Sequence, residues 1–562
     1  MKKNSSYNNV YWIVILILFA AFILRIYSIG EQSLWLDEII QVKVYNYNSI
    51  LEVIDGAANQ AQPPLDYLIG FLLLKIFPFS ETIVRLPAAI FGTLIVYMIF
   101  ILTRLLYSQN AAILASILAA ISSYLVMYAQ EARPYSIFIL ALLMTLYFYF
   151  RVLESSKIIN WAGFAISLYF LLMTRGFEPL IVILVINILT ILFYRFSRRT
   201  FVIASLSLAD FILFLPFFIR TYSYLQYYSE TQINSMTFWE NITNKMQDFP
   251  FTNLVNMWHS FTSPVSILFI VFIVFGYYAI LSNKEKKNAR IFACFSVFLP
   301  ILHVVIFTYK VDLIHRAAFA SRYYVYTLAL IFILTAIGAV SLFEFIRSRS
   351  IHKYFSYATG IVIFLFIIAY GTNLKAYYAS EKQDWRGVSA YIKKDTRKHN
   401  IIVTDSVHQV YGQWMMRFEG RPIYYKDAKE LNLNEFVEIA IKMSNYKFNG
   451  DIYLVLHNEW PIDKNIYCKE LCQNKFTVFC VYKLVNYNER VVDRLETLID
   501  TMIKEYPQNG SRIRLYLNKA RIRKYRGDLN STYDYIEKSR NLVLPGYSNM
   551  LEHEIKGILE DL

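Results

Sequence analysis

About eleven apolar stretches, each roughly 17 to 25 residues and so able to cross ~30 Å of hydrocarbon, recur within the first 370 residues. They fall near residues 10–29, 85–106, 109–128, 134–152, 159–174, 179–194, 200–219, 264–282, 290–308, 323–344 and 354–370. Inside a bilayer the backbone must satisfy its own hydrogen bonds, so each stretch reads as a helix. Composition agrees: 56% of the 562 residues are hydrophobic and 17% charged, whereas a soluble chain carries about 25% charge. The first stretch is too long to be a signal-peptide core, and no small-residue cleavage site follows it.

Charge then divides the chain. Residues 1–370 hold 26 basic and 17 acidic side chains, whereas the last 192 residues hold 30 and 25. The jump in charge density near Gly371 separates a membrane domain (1–370, with a long outer loop at about 30–84) from a soluble tail. In the tail, strand-like runs around Asn400–Asp405, Asp451–Leu456 and Phe476–Tyr482 alternate with helical stretches, predicting a small α/β domain over 371–488. Residues 489–562 read as helices in which Tyr516, Ala520, Gly527-Asp528, Ile536 and Pro545 approach tetratricopeptide spacing. One such repeat cannot bury its own apolar faces, so it either caps the α/β part or docks a partner. Cys294 sits in an apolar run, while Cys468, Cys472 and Cys480 could form one bridge with one thiol left over.

The basic residues carry the topology. Lys2, Lys3, Arg104, Arg151, Lys157, Arg195, Arg198, Arg199, the Lys284–Arg290 cluster, Arg347, Arg349 and Lys353 all fall on alternate connections, which makes those connections cytoplasmic. The N-terminus is then cytoplasmic, and an odd number of spans puts the tail outside the cytoplasm, in a multi-pass protein of the cell membrane. Most of the +14 net charge is therefore a topology signal and not the footprint of a nucleic acid.

Chemistry is sought on the opposite side. The loop over 31–84 carries seven acids against two lysines, with Asp37-Glu38 just after the first span and Gln62-Pro63-Pro64-Leu65-Asp66 before an apolar stretch too short to span. That stretch reads as an interfacial or re-entrant helix started by the prolines. The acids are either solvated loop residues or a working site. A second, very short loop holds Gln130-Glu131-Ala132-Arg133-Pro134-Tyr135; Arg133 and Glu131 either anchor the helix ends or hold a phosphate or sugar. Later loops add Arg175 and Glu178, then Lys310, His315 and Arg316 leading to Arg322-Tyr323-Tyr324. Arginine suits phosphate because its planar fork donates two parallel hydrogen bonds, although a lone arginine at a membrane surface is more often a snorkelling anchor. Asp210, inside a span, serves either helix packing or chemistry.

Absences narrow the class. No two glycines stand closer than eight positions, so neither G-x-G-x-x-G nor G-x-x-x-x-G-K is present, and there is no H-E-x-x-H. Nucleotide-driven pumps and zincin proteases are disfavoured. Acidic loop residues leave a divalent metal possible, but no ligand spacing specifies one, and no other cofactor is indicated.

Taken together, Trp35-Leu-Asp37-Glu38, Gln62-Pro-Pro-Leu-Asp66-Tyr67, Arg85-Leu-Pro87-Ala-Ala-Ile-Phe-Gly92, Gln130-Glu131-Ala-Arg133-Pro-Tyr135, Arg322-Tyr323-Tyr324 and Asp384-Trp385-Arg386-Gly387 form an ordered set. The set resembles the C-type, polyprenyl-phosphate-sugar-dependent glycosyltransferases, specifically family 39 with its protein mannosyltransferases and lipid A aminoarabinose transferase. The resemblance implies a mostly α polytopic fold and a polyprenyl-phosphate sugar donor, with a protein, lipid or glycan acceptor. It also implies Asp37 as the catalytic carboxylate with Glu38 beside it. Arg133 and Arg322, at motif positions, would bind donor phosphate and sugar together with Glu131, Tyr135 and Tyr323, while Lys310 and Arg316 are candidates by location. Gln62 and Asp66 would line the acceptor or donor loop, and Gln62 stands where relatives often carry a cation.

A polyprenyl monophosphate leaves as a stable anion, so the reaction asks for positive charge at the phosphate and a base at the acceptor hydroxyl, the latter worth roughly 10²- to 10⁴-fold. A lipid-linked sugar flippase would share the basic, polytopic, aromatic-rich composition. Flippases and transporters, however, gather charge at the midplane on repeated halves, and here the polar groups sit in outer loops. An inactive scaffold is the third possibility.

Overall fold

The computed structural model describes residues 2–230, 258–310, 321–348 and 353–379, and in the tail 401–404, 452–457, 479–484, 496–497, 499–500, 503–504, 509–542 and 548–559. It forms two compact units. The first comprises residues 1–31 and 41–380, the second residues 32–40 and 381–562.

In the first unit the chain runs through α1 (Lys2–Ile26), α2 (Leu36–Tyr45), α3 (Ile50–Asn59), α4 (Leu65–Ile76), α5 (Glu81–Leu106), α6 (Gln109–Ile121) and α7 (Ser123–Ala129). It continues through α8 (Tyr135–Glu154), α9 (Ile158–Leu172), α10 (Glu178–Tyr194), α11 (Arg198–Glu230), α12 (Ser266–Ser282), α13 (Lys287–Lys310), the single turn α14 (Ser321–Tyr324), α15 (Thr327–Ser348) and α16 (Lys353–Ala379). Helix α2 begins within residues 32–40 of the second unit.

All eleven anticipated stretches fall on helices. Among the described residues, six helices are long and apolar enough to cross a membrane, and four more apolar helices are shorter. The stretch at 109–128 differs from a plain span: it breaks at Ser122 into α6 and α7, bent by 60°. Ser122 is the N-cap of α7, its hydroxyl accepting from the Leu125 amide, so the break satisfies its own backbone donor. Serine caps recur at Ser80 and Ser108, which set the starts of α5 and α6.

The core is one apolar mass drawn from α5, α6, α8, α12, α13, α15 and their neighbours. Its closest crossing joins α12 to α15 at Gly276 and Gly338. A Cβ on Gly338 would overlap the Phe272 carbonyl, and one on Gly276 the Leu334 carbonyl. Small residues let membrane helices approach to backbone contact, where dispersion replaces the hydrophobic drive that lipid cannot supply. The short stretch after Pro63-Pro64 is helix α4, only 12 residues, with Pro64 at its N-cap. Its first amide, Leu65, donates to the Met173 carbonyl (3.2 Å), tying α4 to the α9–α10 connection.

In the second unit, β1 (Ile401–Thr404), β2 (Ile452–His457) and β3 (Phe479–Leu484) form a sheet in that order. β1 lies parallel to β2 with Ile401 opposite Ile452, and β2 antiparallel to β3 with His457 opposite Phe479. Helices α17 (Asn509–Tyr525), α18 (Leu529–Arg540) and α19 (Ser548–Leu559) close the chain. The α17–α18 turn uses Gly527 at φ +75°, a backbone state that favours glycine, and Asp528 caps α18 through the Ser531 amide. Leu517, Ala520, Ile536, Leu551 and Ile555 pack these helices on one another.

Candidate functional site

The acidic pair opens α2. Glu38, fully buried at the third helical position, turns back so that its Oε2 accepts from the Trp35 amide (3.2 Å), as a capping-box carboxylate does. This bond gives Glu38 a structural task. Asp37, half-buried at the second position, lies in the positive first turn of the helix, where a carboxylate is stabilised. The same helix continues to Gln41 and Tyr45, both buried, at successive intervals of four.

Gln41, Tyr45 and Asp66 form a closed hydrogen-bonded group. Tyr45 Oη donates to Asp66 Oδ2 (3.0 Å), and the Gln41 amide nitrogen donates to Tyr45 Oη (2.8 Å) and to Asp66 Oδ2. The remaining end of that amide, Oε1, accepts from Arg133 Nη1 (3.0 Å). Burial pushes the Asp66 carboxyl up to about 6, against the opposing pull of Tyr45, Arg133 and Gln41. Gln62 does not join this group; among the described residues its buried Oε1 has no hydrogen-bond partner.

Arg133 leads into a second group, of arginines and tyrosines. Its guanidinium lies 5.9 Å from the Tyr135 ring centre, and the Arg175 guanidinium lies 4.8 Å from the same ring, 5.1 Å from the Tyr323 ring and 5.8 Å from Phe138. Arg322 approaches Tyr323 at 5.4 Å, and its carbonyl accepts from Arg175 Nη1 (3.5 Å). Arg175 is held by Glu178 at 3.2 Å, both side chains almost wholly buried. Three arginines, two from connecting loops and one from α14, thus converge on two tyrosine rings. Aromatic faces attract cations, and a guanidinium held there keeps the planar geometry that suits an anion.

The sequence and the fold both have relatives among known proteins. Residues 61–220 match the profile of the dolichyl-phosphate-mannose-protein mannosyltransferase family. The structure of ArnT from Cupriavidus metallidurans bound to undecaprenyl phosphate superposes with a TM-score of 0.52 at 12% identity, covering 84% of this chain and 98% of that one. The chain therefore has the fold of ArnT, and within it residues 61–220 resemble that family. The same fold recurs in the Archaeoglobus fulgidus oligosaccharyltransferase, with a TM-score of 0.51 at 11% identity for its complex with Zn and sulfate, over 98% of this chain and 85% of that one. No curated protein matches the sequence.

Several of the motif residues serve as scaffold. Buried Arg85 donates to the Ile29 carbonyl (2.9 Å), and Gly92 leaves room for Arg25 and Ala129. Arg25, fully buried, donates to the Ala21, Ala119 and Ala120 carbonyls. The Gln130 amide donates to the Tyr27 (2.7 Å) and Arg25 (3.1 Å) carbonyls just past and at the end of α1. Glu131 is buried beside Arg133, whose amide donates to the Glu131 carbonyl (2.8 Å). Lys310 is the last residue of α13; its side chain, with His315, Arg316 and Asp384–Gly387, lies outside the described residues. Among the described residues no three His, Cys, Asp or Glu side chains gather as a metal group.

The structure adds Gln41, Tyr45 and Arg175 to the sequence-based set. Arg175 was visible only as one basic loop residue among many. Gln41 and Tyr45 carry a signal in hindsight: polar side chains at four-residue spacing after Asp37, on one face of the helix.

Proposed function

We propose that this protein is a C-type glycosyltransferase that moves a sugar from a polyprenyl-phosphate donor to a hydroxyl of a protein, lipid or surface glycan on the extracytoplasmic face of the cell membrane. The observation that carries the proposal is the convergence of Arg133, Arg175 and Arg322 on Tyr135 and Tyr323, which we read as a site for an anion. That the fold relative ArnT binds undecaprenyl phosphate supports a lipid phosphate as the anion. The basic alternate connections support a cytoplasmic N-terminus, with the tail, an α/β part over 371–488 and a helical part over 489–562, outside.

In the reaction the acceptor oxygen attacks the anomeric carbon while the carbon–oxygen bond to phosphate breaks. The electron pair leaves on the polyprenyl phosphate, whose growing charge the arginines stabilise; one well-placed donor is worth on the order of 2.7 to 4 kcal/mol in other enzymes. Asp37 takes the hydroxyl proton, for a contribution of roughly 10²- to 10⁴-fold, and the anomeric centre inverts. Glu38, used as the cap of α2, holds Asp37 on the first turn.

Reconstitution in liposomes with an undecaprenyl-phosphate sugar tests this. New glycosidic product that disappears in Asp37→Asn, with lipid phosphate still bound, is the expected result. Full transfer by Asp37→Asn would overturn the role of Asp37, and lipid translocation without product would replace transferase by flippase.

A further inference from the structure

Asp66 lies on the first turn of α4, buried, and its Oδ2 accepts both the Tyr45 hydroxyl and the Gln41 amide nitrogen. A glutamine amide fits its pocket either way round, because its nitrogen and oxygen are nearly the same size, so its partners must choose the direction. An ionised carboxylate only accepts and therefore selects the NH₂ end. With both N–H groups of Gln41 committed, to Asp66 and to Tyr45, its carbonyl is turned on Arg133 at 3.0 Å. Were the amide reversed, an NH₂ group would face the guanidinium and repel it. The negative charge of Asp66 also draws Arg133 directly.

From this geometry we infer that Asp66 is a positioning residue for the donor: through the direction of the Gln41 amide it sets where Arg133 presents its guanidinium to the lipid phosphate. The inference rests on the proposed donor reading and deepens it. It takes Asp66 out of the group that touches acceptor or sugar and makes it the fixed end of a chain, Asp66 to Gln41 to Arg133, that terminates at the Tyr135 ring.

The test is a double-mutant cycle on the purified full chain, titrated with undecaprenyl phosphate, with the thermal midpoint followed in parallel. Asp66→Asn, which can offer either end of its own amide to Gln41, should weaken binding by about tenfold, the scale of one misplaced charge-assisted bond. Asp66→Glu should restore part of that loss. In an Arg133→Ala background, Asp66→Asn should cost nothing further. Gln41→Ala cuts the chain one link nearer to Arg133 and should give the same non-additivity, which keeps the cycle informative if Asp66→Asn misfolds. Equal losses from Asp66→Asn with and without Arg133, or no loss in the native background, would overturn the positioning role alone. Failure of the native protein to bind undecaprenyl phosphate would overturn the donor reading together with the inference built on it.

Discussion

Arg175 and Glu178 permit a perturbation in which folding and ligand binding separate. The pair is 3.2 Å apart with side chains 5% and 6% exposed, so Arg175→Met leaves a carboxylate buried without its counter-ion. Breaking a buried pair from one side costs about 3–5 kcal/mol, most of it the stranded charge and not the lost attraction. Adding Glu178→Gln removes that charge, so the double variant should recover to within about 1–2 kcal/mol of the native protein, the residue being the ring contacts of Arg175 with Tyr135 and Tyr323. Binding should not recover with it. A charge-assisted hydrogen bond to phosphate contributes about 1.5–3 kcal/mol, so the stable double variant should bind undecaprenyl phosphate roughly 10- to 100-fold more weakly. Thermal melts in detergent and lipid titration of the three variants read the two effects independently. A double variant that is stable and binds like the native protein would remove Arg175 from the proposed phosphate site. An Arg175→Met single variant that melts with the native protein would refute the energetic reasoning about the pair.

Other outcomes follow from the same geometry. Gly338→Ala should force α12 and α15 apart at the Phe272 carbonyl and lower stability by about 1–3 kcal/mol, read as a fall in the thermal midpoint; an unchanged midpoint would mean the crossing adapts freely. Asp66 has a folded pKa of about 6, above its ordinary 3.8, so its contribution to stability is whole below 3.8 and is lost as pH rises through 6. Asp66→Asn should remove that part of the pH dependence between roughly 4 and 6 in midpoint-against-pH curves. Gln130→Ala should destabilise by about 1–3 kcal/mol, since it strips a buried donor from the end of α1, and circular dichroism melts would detect it.

The helices were legible because a bilayer imposes a length and an apolarity that few other contexts demand, and all eleven stretches are helical. The break at Ser122 was not, because Ile121-Ser122-Ser123 contains no proline or glycine, and a serine that caps a new helix looks in sequence like one tucked into an old one. The loops told less. Arg133 and Arg322 could be named from ordered motifs, yet their convergence with Arg175 joins residues up to 189 positions apart, a distance no periodicity encodes. Glu38 shows the opposite limit: an acid beside a proposed base reads as chemistry in sequence, and its bond to the Trp35 amide gives it a local backbone role. Among the motif residues by sequence, Arg85 and Gln130 bind backbone carbonyls and Gly92 leaves space for the Arg25 and Ala129 side chains, so motif membership alone did not mark them as scaffold.

The Gln130 side chain has a consequence for how the protein is made. Its nitrogen gathers the carbonyls at the end of α1, and its oxygen accepts the Tyr377 hydroxyl (2.8 Å) from α16, while Tyr378 donates to the Leu24 carbonyl and stacks edge-on against Tyr27. The first helix of the chain is therefore finished by the last one of the membrane part. Ribosomes deliver these pieces some 350 residues apart, so the end of the bundle three residues from Arg133 cannot lock until translation has passed Tyr377 and the final helix has entered the bilayer. A nascent chain short of that point carries every arginine of the cluster and still lacks the clasp that closes their end of the bundle. The order of synthesis itself thus sets when the end of the bundle beside the arginine cluster can close.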